Sequence, residues 1–117
     1  MKRAVTGFPD LEEAGLAVSS ALRLKSDDPD THYYLGRAFL AKGEGKEAAA
    51  SLREAVRLAP GEARAHNALG VALAGVRSFA EAEAEIRAAC KMDPGNSLFA
   101  ENLACVRTRL QDCALAP

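Results

Sequence analysis

Apolar residues recur along this chain at the three- and four-residue spacing of an amphipathic helix, in six separate stretches. Proline and glycine interrupt the pattern between these stretches, and such residues end helices. The connections that remain are two to five residues long, which makes successive helices antiparallel neighbours. The predicted helices cover residues 10–25, 30–42, 46–58, 63–75 and 79–92, and a last helix runs from 96 or 97 to about 111. The pattern therefore predicts an all-α fold built from helical hairpins.

The chain also matches itself when it is shifted by 34 residues. The match relates segment 29–62 to segment 63–96. A period of this size indicates a repeat array, in which a unit stacks on its copies because it cannot bury its apolar face alone. The identical pairs are His32/His66, Leu35/Leu69, Gly36/Gly70, Ala38/Ala72, Glu47/Glu81, Ala48/Ala82, Ala50/Ala84, Arg53/Arg87, Ala55/Ala89, Pro60/Pro94 and Gly61/Gly95.

The repeated positions carry a recognisable motif: a large residue, then Leu–Gly, an aromatic residue, and later Ala, a large apolar residue, Ala and Pro. The first unit supplies His32, Leu35, Gly36, Phe39, Ala48, Leu52, Ala55 and Pro60, and the second supplies His66, Leu69, Gly70, Leu73, Phe79, Ala82, Ile86, Ala89 and Pro94. With this motif the chain resembles the tetratricopeptide repeat (TPR) family. The resemblance implies an α-solenoid, a right-handed superhelical stack of antiparallel helix pairs with about six helices.

The resemblance also divides the chain, which we expect to form a single domain over residues 1–117. Residues 8–28 fit the second helix of a partial repeat, 29–62 and 63–96 are full repeats, 97–112 form a capping helix, and 113–117 are a tail, of which we expect 114–117 to fray. Residues 1–7 supply at most seven residues of the first helix of the partial repeat, so either they cover the 10–25 helix in another way or an apolar edge is left near the N-terminus. That edge suggests either self-association or contact with more of a longer protein.

In the TPR family, the first helices of successive units line a concave groove that binds extended peptides or helices. Tyr33, Leu40 and Val71 offer apolar contact in such a groove. Arg37, Arg64 and Asn67 offer hydrogen bonds, and arginine favours the geometry of a carboxylate or phosphate. The predicted groove residues are Tyr33, Arg37, Leu40, Arg64, Asn67, Val71, Ala74 and Glu101. The alternative is that these residues form only a solvated face.

One subset of the family clamps the C-terminal carboxylate of chaperones with Lys–x3–Asn, Asn, and Lys–x3–Arg on three successive first helices. The corresponding residues here are Tyr33 and Arg37, then Ala68, then Leu98 and Asn102. Because most clamp residues are absent, we do not expect binding to a chaperone tail. Asn102 also resembles one rung of an asparagine ladder that other relatives use along a peptide backbone, but Tyr34 and Ala68 break that ladder.

The chain offers little chemistry for catalysis or metal binding. His32 and His66 occupy one repeat position and are expected to pack between helices, which leaves no histidine for a nucleophile–base pair. Neither a GxGxxG nor a GxxxxGK[ST] phosphate-binding motif occurs. We therefore expect no enzyme activity, no cofactor and no metal.

Charge and cysteine content narrow the choice of partners and compartment. The net charge of −1 provides no general field for nucleic acid or an anionic membrane, so neither is expected as a partner. The three cysteines, Cys90, Cys105 and Cys113, are odd in number and lack CxxC spacing, which predicts reduced thiols and a cytoplasmic protein.

Three functional hypotheses follow from these features. The first is a non-catalytic scaffold for protein–protein interaction that binds a peptide segment of a partner in the groove. The second is a module for self-association or for assembly of a larger complex through the N-terminal edge. The third is a regulatory part of a longer multidomain protein.

Overall fold

The computed structural model describes residues 27–108 and 115–117. These residues form five helices and no strand: α1 (Pro29–Ala41), α2 (Gly45–Leu58), α3 (Ala63–Gly75), α4 (Phe79–Met92) and α5 (Ser97–Thr108). The described ends differ from the predicted ends by no more than one residue. The helix predicted at 10–25 lies outside the described residues, as does the N-terminal edge on which self-association was predicted.

Side chains of the turns fix where two of the helices begin. The Asp28 carboxylate accepts a hydrogen bond from the Asp30 backbone N–H at 3.0 Å, and Pro29 occupies the first turn, where it removes no helical hydrogen bond. The Asn96 side chain likewise accepts from the Phe99 N–H at 3.1 Å at the start of α5. Both residues satisfy N–H groups that a helix leaves unpaired at its start.

The helices pack as a stack of hairpins. Each helix contacts the next in sequence, and the contacts are most extensive within the α1–α2 and α3–α4 pairs. In addition, α3 contacts both α1 and α5, so the first helix of each unit lies beside the first helix of the next. We call this layer of α1, α3 and α5 the inner wall. The predicted all-α solenoid of antiparallel helix pairs is confirmed.

Close helix approach shapes the core of each hairpin. Leu52 of α2 and Ile86 of α4 are fully buried, and each lies directly against a glycine of the preceding helix. A Cβ atom on Gly36 would overlap the Leu52 side chain, and one on Gly70 would overlap the Ile86 side chain. The repeated glycine therefore sets the distance at which the two helices of a unit meet.

Both histidines are held inside the helix stack or against its turns. His32 is fully buried, and His66 bridges two elements: its Nδ1 lies 2.8 Å from Glu85 Oε1 and its Nε2 2.8 Å from the Pro60 carbonyl oxygen. Within 27–108 and 115–117, no three His, Cys, Asp or Glu residues cluster closely enough to hold a metal ion.

Cysteine usage differs from the prediction. Cys90 is a half-buried free thiol, but Cys105 is disulfide-bonded. The expectation that all the thiols are reduced is therefore wrong for Cys105, since an odd number of cysteines does not exclude one pair. The prediction of a cytoplasmic location loses the support that it drew from reduced thiols.

Candidate functional site on the inner wall

The eight predicted groove residues all lie on the three helices of the inner wall. Tyr33, Asn67, Val71 and Ala74 are buried, Leu40 is half-buried, and Arg37, Arg64 and Glu101 are exposed. Leu40 and Ala74 pack with the hydrophobic core. The polar and aromatic residues separate into two groups, one at each end of the wall.

The first group surrounds the Arg64 guanidinium, and we call it the tyrosine–arginine cluster (Asp30, Tyr33, Tyr34, Arg37 and Arg64). The Arg64 guanidinium carbon lies 4.4 Å from the centre of the Tyr33 ring, and that of Arg37 lies 5.7 Å from the same ring. A nitrogen of Arg64 also lies 2.9 Å from a carboxylate oxygen of Asp30, which joins α3 to α1. The cluster therefore holds two cations over one buried aromatic ring.

Tyr34 extends this cluster toward solvent. Its ring meets the Tyr33 ring edge to face, with centroids 5.1 Å apart, and the Arg64 guanidinium lies 5.8 Å from its centre. A hydrogen bond with Tyr34 raises the pKa of the Arg64 guanidinium above its ordinary value, so this group stays charged. Tyr34 is one of the two large hydrophobic side chains exposed within the described residues, at 54 %. The cluster presents positive charge beside an exposed apolar surface.

The second group is a pair of buried amides, Asn67 of α3 and Asn102 of α5, which we call the asparagine pair. Asn67 is 0 % exposed and Asn102 is 2 % exposed. Asn102 Nδ2 donates to Asn67 Oδ1 at 2.8 Å. Buried amides are costly unless they are hydrogen-bonded, so the remaining donors and acceptors of the pair need partners.

Those partners come from Ala116, in the 115–117 segment of the same chain. Asn102 Nδ2 donates to the Ala116 carbonyl oxygen at 2.7 Å, and Asn67 Nδ2 donates to the same oxygen at 3.1 Å. In return, the Ala116 N–H donates to Asn102 Oδ1 at 3.3 Å. Leu115 packs against the hydrophobic core. Residues 115–117, which were expected to fray, instead lie on the inner wall.

Asn67 was among the predicted groove residues, but Asn102 was set aside because its neighbours in register broke the ladder. The repeat comparison aligns residues 34 apart, whereas Asn67 and Asn102 are 35 apart. They meet because α3 and α5 lie side by side, with the two amides turned toward each other. The sequence signal for this pair is the presence of one asparagine on each of two successive first helices. A comparison restricted to residues 34 apart does not detect it.

The tetratricopeptide repeat family model matches residues 10–63 and 33–97, most of the chain. The chain belongs to the tetratricopeptide repeat family. A comparison with curated proteins gives no match.

Solved TPR structures share the fold. The first TPR of Spaghetti (RPAP3), bound to the HSP90 peptide SRMEEVD, matches with a TM-score of 0.73 and 16 % identity over 84 % of this chain and 78 % of its own. MamA from Desulfovibrio magneticus RS-1 gives 0.73 and 24 % identity over 84 % of this chain and 55 % of its own. The TPR2AB domain of yeast Sti1, in complex with pHSP90, gives 0.66 and 24 % identity over 86 % of this chain and 39 % of its own. This TPR chain thus spans little more than half of the MamA chain in that structure, which begins at residue 41, and less than half of the Sti1 chain.

The helices of the described part of the chain were also compared with what a membrane span requires. None of its helices has both the length and the apolar character that a bilayer crossing requires.

Proposed function

We propose that this TPR chain is a non-catalytic scaffold that binds a peptide segment of a protein partner along its inner wall. The observation that carries the proposal is the seating of backbone from residues 115–117 on the asparagine pair. An inner wall that bonds the backbone of one segment in this way has the hydrogen-bonding groups that another segment would need.

The tyrosine–arginine cluster supports the same proposal with charge. Arg37 and Arg64 are exposed and lie over the Tyr33 ring, so a carboxylate reaching either guanidinium would form a charge-assisted hydrogen bond beside an apolar surface. We propose that the bound segment carries an acidic residue at this end. Asp30 already bonds Arg64 from within the chain, which leaves Arg37 as the more available cation.

The comparisons agree with a peptide as ligand. Two of the structures that share this fold were solved with HSP90: RPAP3 with an HSP90 peptide, and Sti1 in complex with pHSP90. Both are less than 25 % identical to this chain, and the residues of the chaperone clamp are absent here. We therefore propose that the chain binds a peptide, and that this peptide is not the C-terminal tail of a chaperone.

The test measures affinity for peptides that are selected on the full chain from a displayed library of random heptapeptides. Isothermal titration then compares the wild type with a variant that carries Arg37→Ala and Arg64→Ala. We expect the affinity for acidic peptides to fall by about tenfold or more, because two charge-assisted hydrogen bonds are lost.

A matched control removes two arginines from the opposite side of the stack. Arg53→Ala plus Arg57→Ala has the same change in charge, and both side chains are more than half exposed on α2. We expect this control to bind like the wild type. Equal losses for the two double variants would point to general electrostatics, and the proposed binding surface would be wrong. Selection of no peptide by the folded chain would count equally against it.

A further inference from the structure

The asparagine pair recognises Ala116 through its backbone alone. The Ala116 N–H and carbonyl group both bond Asn102, which forms a closed pair of hydrogen bonds like that between neighbouring strands, and the carbonyl accepts a second bond from Asn67. No side-chain atom of Ala116 takes part in these bonds. Such a site binds backbone groups and accepts many residue types at the bonded position.

The residue before the bonded position adds an apolar contact. Leu115 is half-buried and packs against the hydrophobic core, whereas Pro117 is exposed. The 115–117 segment therefore contributes one apolar anchor followed by one backbone-bonded residue. An incoming peptide with a leucine-sized residue directly before the bonded residue would reproduce both contacts.

We propose that the 115–117 segment is an intramolecular ligand of the peptide-binding surface, and that a partner peptide must displace it from the asparagine pair. The segment occupies the two amides that are equipped to hold a backbone, so a partner peptide cannot bond them at the same time. The competition rests on the proposed function, whereas the occupancy by residues 115–117 rests on the hydrogen bonds themselves.

Tethering makes such a segment an effective competitor although its contacts are few. A segment joined to its site by a short linker has an effective concentration on the order of 1 mM. If a free peptide of the same sequence binds with a Kd of about 0.1 mM, the tethered copy weakens its apparent affinity roughly tenfold. Release of the segment from the asparagine pair should therefore raise the apparent affinity for the free peptide by the same factor.

The asparagine side chains provide a direct readout, because the chain contains only three asparagines and one glutamine. We expect Leu115→Asp to expel the segment, since a carboxylate in place of a packed leucine is strongly disfavoured. In a ¹H–¹⁵N spectrum, the side-chain amide resonances of Asn67 and Asn102 should then shift. The resonances of Asn96, which lies at the start of α5 and bonds the Phe99 N–H, should not move.

Pro117→Asp is the matched control, because it introduces the same charge two residues away at an exposed position. It should leave the spectrum of the asparagine pair as in the wild type. If Leu115→Asp and Pro117→Asp gave the same amide spectra, the segment would not occupy the pair, and the inference would be overturned.

A second measurement adds the segment back as a separate molecule. The probe is a fluorescent peptide with the sequence of residues 111–117, in which Cys113→Ser prevents disulfide exchange. We expect it to bind the Leu115→Asp chain about tenfold more tightly than it binds the wild type or Pro117→Asp. Equal affinity for all three chains would overturn the inference.

The two experiments separate this inference from the proposed function. If Leu115→Asp shifts the Asn67 and Asn102 resonances while no library peptide binds, the segment is an intramolecular ligand and the proposed partner binding fails. If library peptides bind through Arg37 and Arg64 with the same affinity to the wild type and Leu115→Asp, partner binding stands and displacement of the segment is wrong.

Discussion

The two complete units of this TPR chain share one backbone plan but present different chemistry at the same repeat position. Tyr33 in the first unit and Asn67 in the second are 34 residues apart, and both are buried on the inner wall. Tyr33 carries the stacked guanidinium of Arg64, whereas Asn67 bonds Asn102 and Ala116. A repeat position therefore fixes where a side chain lies, and the neighbouring unit decides what that side chain does.

The turns of the two units show the same relation in the backbone. Gly43 and Arg77 are also 34 residues apart, and both have positive φ, 77° and 67°. The following N–H groups return to equivalent carbonyl groups: Glu44 to Phe39 at 2.9 Å, and Ser78 to Leu73 at 2.8 Å. The second unit therefore reproduces with arginine a turn for which glycine is the ordinary choice.

The strongest test of this comparison concerns the glycines at the closest helix contacts. The three atoms nearest to a Cβ on Gly36 would all belong to the Leu52 side chain, whereas those nearest to one on Gly70 include the Ala82 carbonyl oxygen, at 3.0 Å, beside Ile86. We expect Gly70→Ala to lower the free energy of unfolding by about 3 kcal/mol and Gly36→Ala by about 1–2 kcal/mol. Urea denaturation of both variants measures the difference. Equal losses would show that the two units tolerate overpacking alike.

The next largest effect on stability is expected at the asparagine pair of the inner wall. Asn102→Ala removes the bonds to Ala116 and leaves the buried Asn67 amide with fewer partners. We expect it to lower the free energy of unfolding by about 2 kcal/mol. Glu101→Ala, at the exposed neighbouring position, should change it by less than about 0.5 kcal/mol. Similar denaturation midpoints for the two variants would mean that the asparagine pair contributes little to stability.

A smaller effect is expected at the turns, with opposite signs in the two units. Gly43→Ala should destabilise the chain by about 1 kcal/mol, because open space surrounds the position and only its positive φ opposes a Cβ. Arg77→Gly should stabilise it by up to about 1 kcal/mol, reduced by the lost contact with the Phe79 ring, whose centre lies 5.5 Å from the guanidinium. Thermal denaturation measures both changes. A gain from Gly43→Ala would contradict the comparison of the turns.

The smallest effect is expected at the tyrosine–arginine cluster. Arg64→Ala removes an exposed ion pair with Asp30 and a guanidinium that stacks on Tyr33, so we expect a loss of about 0.5–1 kcal/mol in unfolding free energy. Adding salt should reduce that loss, because exposed charges are screened. If Arg64→Ala lowered the free energy of unfolding as much as Asn102→Ala does, the tyrosine–arginine cluster would contribute as much to stability as the asparagine pair, contrary to this comparison.

The sequence alone was sufficient to predict the helices and their stacking. Period and punctuation predicted five of the helices to within one residue at the described ends, because helix periodicity, proline and glycine act through local geometry. The 34-residue repeat also places Gly36 and Gly70 at one repeat position, and in the structure each lies against a large apolar side chain of the following helix.

Tertiary structure decided which inner-wall residues act together. Asn67 and Asn102 pair across a 35-residue separation, and residues 115–117 fold back onto them, although the end of the chain carries no periodic signal. Hydrogen bonds between distant side chains and a backbone depend on the relative rotation of packed helices, which local patterns do not encode. The sequence determined the stack and the helices that form its inner wall. Only the folded chain determined that one end of that wall is an exposed arginine cluster and the other an amide pair bonded to the chain's own backbone.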